Sequence, residues 1–191
     1  MSKLHLPEVD DLIGENFNGY KLVREVGRGN VGVVYKAYNE ELDHSRACKL
    51  IPRANLNVNW EIEIKKCVKL EGIEQIARYI DSGRRTINST EYVYILWEFL
   101  NGDNLFKLIK NQPEIVTVEF VKIITEQILR AFRAMKHVGI SHNDLHEGNI
   151  IIYIDDRIDS KPKIKITDFG IGSSTTDLKP KDDYKEFARI C

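Results

Sequence analysis

The apolar residues of this chain shift from a mainly strand-like to a mainly helical pattern near residue 100, and that change limits the folds open to it. Before it, β-branched and aromatic runs are cut by glycines. Residues 17–52 read as three strands, and 77–84 and 91–99 (the latter EYVYILWEF) as two more. One helix interrupts this half over 57–70, with Trp60, Ile64, Cys67, Val68 and Leu70 on one broad face. After it, Val121, Ile124, Ile128, Phe132 and Met135 recur at helical spacing, making 117–138 the clearest helix of the sequence. IIIYI and KIKITDF flank a polar loop and predict a short hairpin. NGDN at 101–104 carries turn residues suited to a linker. The order predicts a two-lobed α+β protein. An N-terminal extension covers 1–16, an antiparallel β lobe with one helix covers 17–100, and a mainly helical lobe covers 101–191.

Charge and cysteine usage narrow the function classes. A net charge of −1, with no long Lys/Arg run, argues against a nucleic-acid binder that relies on bulk attraction to phosphate. Cys48, Cys67 and Cys191 have neither metal nor redox spacing, which predicts reduced thiols in a cytoplasmic protein. MSKLHLPEVDD lacks the apolar core of a secretory signal, and no apolar run is long enough to span a bilayer. Nothing in the sequence fixes an oligomeric state.

Two stretches carry chemistry. GRGNVG at 27–32 matches G-x-G-x-x-G, which alone fits either a glycine-rich hairpin turn or a phosphate cradle. In a dinucleotide fold the third glycine opens a helix and an acid follows about 20 residues later. Here VVYKAY follows, and Lys49 stands where the acid would be. What remains is strand, glycine loop, strand. Glycines at 27, 29 and 32 let backbone N–H groups approach phosphates, and Lys49 on the next strand could add a fixed positive charge.

The second stretch, SHNDLHEGN at 141–149, is too polar for a core yet runs straight into Ile150, Ile151 and Ile152. His142 and His146 have the i,i+4 spacing of a helical zinc site, but a glycine and two asparagines make this stretch a poor helix.

GRGNVGVVYKA followed by ACK, then HNDLHEGN, then TDFG resemble, in order over residues 20–172, the glycine loop, strand lysine, catalytic loop and D-F-G of the protein kinase family, Ser/Thr type. The resemblance implies a two-lobed kinase fold and transfer of the γ-phosphate of ATP, with Mg2+, to a protein hydroxyl. Gly27, Arg28, Gly29, Asn30, Val31 and Gly32 would cover the nucleotide, with Val34 and Ala47 roofing the adenine and Ile151 flooring it. Trp97 falls at the back-pocket gatekeeper position, and the backbones of Glu98 and Leu100 would bond the adenine edge. Lys49 would pair with a carboxylate on the 57–70 helix. The helical wheel places Glu63 inside the apolar face and Glu61 at its edge, where a surface pair with Lys65 competes as an explanation. The family pattern also selects Glu63. Asp144 would take the acceptor's proton, and Asn149 and Asp168 would hold magnesium with hard oxygen ligands. His142 would pack under the loop against Phe169.

The sequence also departs from that pattern. Asn143 replaces the arginine before the catalytic aspartate, which predicts activity without a phosphate on the activation segment. His146 replaces the lysine two residues after that aspartate and could donate to the γ-phosphate in a pH-dependent way. D-L-H-x-x-N also resembles aminoglycoside and choline kinases, so a small-molecule hydroxyl acceptor stays open, as does a non-catalytic pseudokinase module. No A-P-E follows D-F-G. SSTT at 173–176 reads as a solvated loop, and DDYKEFARIC resembles the start of the central helix, with Asp183 tying down the catalytic loop. The activation segment is then very short, and the chain is expected to stop inside that helix, as a truncated lobe.

Overall fold

The structure, a computed structural model, describes residues 12–29, 31–56, 60–155, 159–169 and 183–190. The described residues of Met1–Trp60 and Arg78–Phe99 form one compact unit, and those of Glu61–Ala77, Leu100–Ile171 and Thr175–Cys191 form another.

The first unit is an antiparallel sheet whose strands are β1 (Asn16–Phe17), β2 (Tyr20–Arg28), β3 (Val33–Asn39), β4 (His44–Pro52), β5 (Tyr79–Ile87) and β6 (Thr90–Glu98). They lie side by side in the order β1-β2-β3-β4-β6-β5. Period-two burial in β3 sends Val33, Tyr35 and Ala37 into a core with Leu22, Leu50 and Leu96. Each large apolar side chain buried there contributes about 1.5–3 kcal/mol. A two-residue turn joins β5 to β6. Asn88 (φ 48°) and Ser89 (φ 64°) are both left-handed, as a type I′ hairpin requires. The ladders β3–β4 and β4–β6 run without a register shift. Shifts occur only further out, at Leu22/Arg24 and Glu25/Gly27 in β2–β3 and at Tyr79/Asp81 in β5–β6.

The second unit holds α1 (Trp60–Lys69), β7 (Gly102–Asn104), α2 (Leu105–Asn111), α3 (Val118–His137), β8 (Ile150–Asp155), β9 (Asp159–Ile166) and α4 (Asp183–Ile190). α3 starts where Thr117 Oγ1 accepts from Phe120 N at 3.1 Å. It buries Ile124, Ile128, Ala131, Phe132 and Met135, while Val121, counted in its stripe from the sequence, stays largely exposed. Gln127 pins β9 to this helix. Its Nε2 donates to Pro162 O at 2.9 Å and its Oε1 accepts from Ile164 N at 3.1 Å. Phe132 and Phe187 stack edge to face at 5.7 Å, joining α3 to α4.

The α+β class stands, and two local readings change. NGDN is more than a linker: Gly102–Asn104 pairs with β8, and Asn104 Oδ1 caps α2 by accepting from Lys107 N at 2.8 Å. α1 groups with the second unit, where a single division near residue 100 would put it in the first. The cause is the chain that follows it. Ile166 N donates to Gln75 O at 2.8 Å, Ala77 N to Ile166 O at 2.9 Å, and Lys165 Nζ to Ile76 O at 3.2 Å.

Candidate active site

The polar loop is built around one buried imidazole. His142 is fully buried, and its Nε2 lies 2.8 Å from Thr167 O. A carbonyl can only accept, so Nε2 carries the hydrogen. Nδ1 is then the acceptor, and it receives Asp144 N–H at 3.3 Å. Burial lowers the imidazole pKa from its ordinary 6.5, against the upward pull of the Thr167 carbonyl and of Asp183, Asp168 and Asp144. A neutral ring with both nitrogens engaged is no zinc ligand, so the paired-histidine reading of His142 and His146 fails. His146 is exposed, and its Nδ1 accepts from Gly148 N at 3.0 Å, starting a single helical turn.

Asn149 joins the two ends of the loop. Its Nδ2 donates to Asp144 O at 2.8 Å, and its backbone O accepts from Thr167 N at 2.9 Å. Asp144, Asn149 and the residue before Asp168 are thereby held on one side chain and one peptide. With Nδ2 committed, Asn149 presents Oδ1, which carries no hydrogen bond among the described residues. Amide and carboxylate oxygens are the hard donors that magnesium takes. Phe169 is fully buried against His142, ring centroids 4.6 Å apart. Asn143 (φ 70°) and Asp168 (φ 58°) are left-handed. The other left-handed non-glycine residues described, Asn18, Asp43, Asn88 and Ser89, all sit in turns between strands. Backbone held this way outside a turn marks a constrained site.

In the first unit, Lys49 lies on the central strand β4, opposite Val34 on one side and Ile95 on the other, and is only 6% exposed. Ala47 is paired with Trp97, whose ring meets Tyr79 edge-on at 5.8 Å. Glu98 Oε1 accepts from Arg78 N at 2.7 Å. The glycines of the loop differ in what the chain demands of them. A Cβ on Gly32 would run into Leu50 O, so β4 itself requires glycine there. A Cβ on Gly27 would meet nothing within 4 Å, and one on Gly29 only Gly32 O at 3.8 Å. Neither residue has a left-handed φ. The fold therefore gives no reason for glycine at 27 or 29. Arg28 pairs with Glu25 at 2.8 Å, and Asn55 Nδ2 donates to Val31 O at 3.3 Å.

Ile151 lies on β8, paired with Lys165 and Asn104, and Leu100 is half-buried just before β7. Glu63 falls within α1, but its side chain, like Asn30, Gly170 and residues 173–176, lies outside the described residues, whereas Glu61 is exposed. Sequence reasoning missed Thr167 and Gln127 as supports. Thr167 acts through its backbone, which leaves no residue-type signal. Among the described residues no group of three or more His, Cys, Asp or Glu could hold a metal ion.

The family model described as protein kinase domain matches residues 20–188. The chain is 29% identical over 175 residues to the probable serine/threonine-protein kinase fhkA of Dictyostelium discoideum, covering 86% of this chain and 28% of that one. It is likewise 29% identical to the mitogen-activated protein kinase spk1 of Schizosaccharomyces pombe, covering 89% of this chain and 44% of the other. The chain thus spans less than half the length of these relatives. Among solved structures, Rad53 1-466 in complex with AMP-PNP superposes with a TM-score of 0.69 at 29% identity, covering 80% of this chain and 39% of that one.

Proposed function

Because this chain belongs to the protein kinase family, we propose that it transfers the γ-phosphate of Mg-ATP to a serine or threonine hydroxyl on a protein. Asn149 carries the reading. One side chain fixes the Asp144 backbone, and the carbonyl of the same residue fixes the segment leading to Asp168. Asp144 accepts the proton of the acceptor hydroxyl and orients its oxygen for in-line attack. Asn149 Oδ1 and Asp168 would hold a magnesium ion, which would neutralise charge on the phosphates. Lys49 supplies a fixed cation to the nucleotide, and the family pattern assigns Glu63 as its carboxylate. Gly27, Arg28, Gly29, Asn30, Val31 and Gly32 cover the phosphates, and the bare positions 27 and 29 suit a ligand's close approach. By the family pattern, Val34, Ala47 and Ile151 are assigned to the adenine faces, and the backbones of Glu98 and Leu100 to its edge. His146, exposed on the loop, donates to the γ-phosphate. A cytoplasmic setting, where ATP is present and thiols stay reduced, belongs to the same proposal. Among the described residues no helix is long and apolar enough to cross a membrane.

The test is transfer of labelled γ-phosphate from Mg-ATP by the whole chain to a panel of Ser/Thr peptides, with aminoglycosides as a second panel. Asp144→Asn should cut transfer by about 10²- to 10⁴-fold, the usual contribution of a positioned base, and leave nucleotide affinity nearly unchanged. Undiminished transfer in that variant removes Asp144 from the mechanism. Phosphorylated aminoglycoside with untouched peptide would overturn the acceptor class, and nucleotide binding with no transfer to either panel would overturn catalysis.

A further inference from the structure

Within the second unit, a groove of about 650 Å³ opens between α1 and the turn that carries α3 into the catalytic loop. That volume lies within the range of sites that hold several ligand groups at once. Its floor is apolar, made by Ile64 and Val68 of α1 and by Ile140. Val68 is 47% exposed, so about half of this large apolar side chain faces solvent. Gly139 (φ 68°) also lines the groove, and a Cβ there would meet nothing within 4 Å.

Around this strip stand Lys65, Lys66 and Lys69, and no acidic residue lines the groove among those described. Lys65 and Lys69 make no ion pair or hydrogen bond within the described residues. They are also an i,i+4 pair of like charge, which costs a helix a few tenths of a kcal/mol. The dipole of α1 accounts for cations in its last turn, Lys66 and Lys69. It accounts neither for Lys65 nor for the apolar residues that line the same groove. The net charge of −1 means this cluster is a local excess rather than a trend of the whole chain.

We propose that this groove docks a short acidic segment of a partner protein. One aliphatic side chain of the segment sits on Ile64, Val68 and Ile140, and flanking carboxylates pair with Lys65 and Lys69. A free inorganic anion would use the cations and leave the apolar floor wet. A purely aliphatic segment would do the reverse. Only a segment carrying both satisfies the whole surface.

The test is fluorescence anisotropy of the intact chain with a fluorescein-labelled octapeptide in which Asp and Glu alternate with Leu and Ile. Two control peptides replace the aliphatics with Ser or the acids with Lys. The acidic-aliphatic peptide should bind with saturation, weaken as salt screens the pairs, and lose affinity by about tenfold or more in Lys65→Glu/Lys69→Glu. Val68→Asp should weaken it through the floor instead. All three positions have exposed side chains, and thermal melts report whether each variant stays folded. The peptide controls on the unmodified chain carry the test if one does not. Equal binding of the Lys or Ser peptide overturns the proposal, as does a change below about twofold on charge reversal or no saturation below about 1 mM. A dimer that Lys65→Glu/Lys69→Glu turns into a monomer would make a second copy the occupant and also overturn it.

Discussion

The carboxylate of Asp183 accepts two backbone hydrogen bonds from a loop 40 and 41 residues earlier, His142 N at 2.7 Å and Asn143 N at 3.0 Å. Hydrogen bonds to an ionised group are the strong kind, about 1.5–3 kcal/mol each. They also hold Asn143 in its left-handed conformation. Asp183→Asn keeps the shape but turns one acceptor into a donor that faces an N–H. Urea unfolding of this variant should show a loss of about 1.5–3 kcal/mol. A loss below about 0.5 kcal/mol would mean the pair contributes little in solution.

The glycine loop separates fold from function by two substitutions. Gly32→Ala drives a methyl into the Leu50 carbonyl and should destabilise the chain by about 1–3 kcal/mol. Gly27→Ala enters open space and should leave stability within about 0.5 kcal/mol while weakening nucleotide binding. Denaturant melts and nucleotide titrations on the pair check both halves. Equal stability losses would refute the distinction.

Lys49→Met and Glu63→Gln should impair phosphate transfer severely and to comparable degrees. Glu61→Gln, at an exposed position, should be nearly silent. Single-turnover transfer rates decide it, and a sensitive Glu61 with a silent Glu63 would reverse the assignment.

His142 gives stability a pH dependence whose sign follows from burial. Its folded-state pKa is depressed below 6.5, so the unfolded chain takes up a proton that the folded chain refuses. The contribution is present above about pH 6.5 and is lost as pH falls from there toward the folded-state value, with a slope of at most about 1.4 kcal/mol per pH unit. His142→Phe removes this titration. The stability difference between the two proteins should therefore shrink between pH 7.5 and 5.5. A difference that stays constant over that range would rule out the imidazole as the source.

Much of this was legible in the sequence, for reasons that differ by element. α3 announced itself because Ile124, Ile128, Phe132 and Met135 repeat at the helical period and one face is buried. The hairpin of β8 and β9 was visible because two apolar runs flank a polar loop. α2 was missed, although Asn104 at its start is a residue type that caps helices, because NGDN reads equally well as a turn. The loop motif implied that His142 packs against Phe169, and the two rings are in contact. What the sequence could not reveal depends on distant partners. Gly32 needs its shape because of Leu50, α1 joins the second unit because of Ile166, and the lysine-lined groove exists because residues 64–69 meet 139–143.

The unbroken pairing of β4 with both of its neighbours also governs which changes of chain length this protein can accept. Lys49 faces where it does only because every residue from Val33 to Asn39 and from Tyr92 to Glu98 keeps its partner on β4. Deleting one residue inside β4 would turn Lys49 to the opposite face and bring Cys48 or Leu50 round in its place. The outer pairs already absorb extra residues at Leu22/Arg24, Glu25/Gly27 and Tyr79/Asp81. Insertions and deletions should therefore be tolerated in the turns and at the sheet's margins. In the central strands one residue more or less would cost the lysine its place.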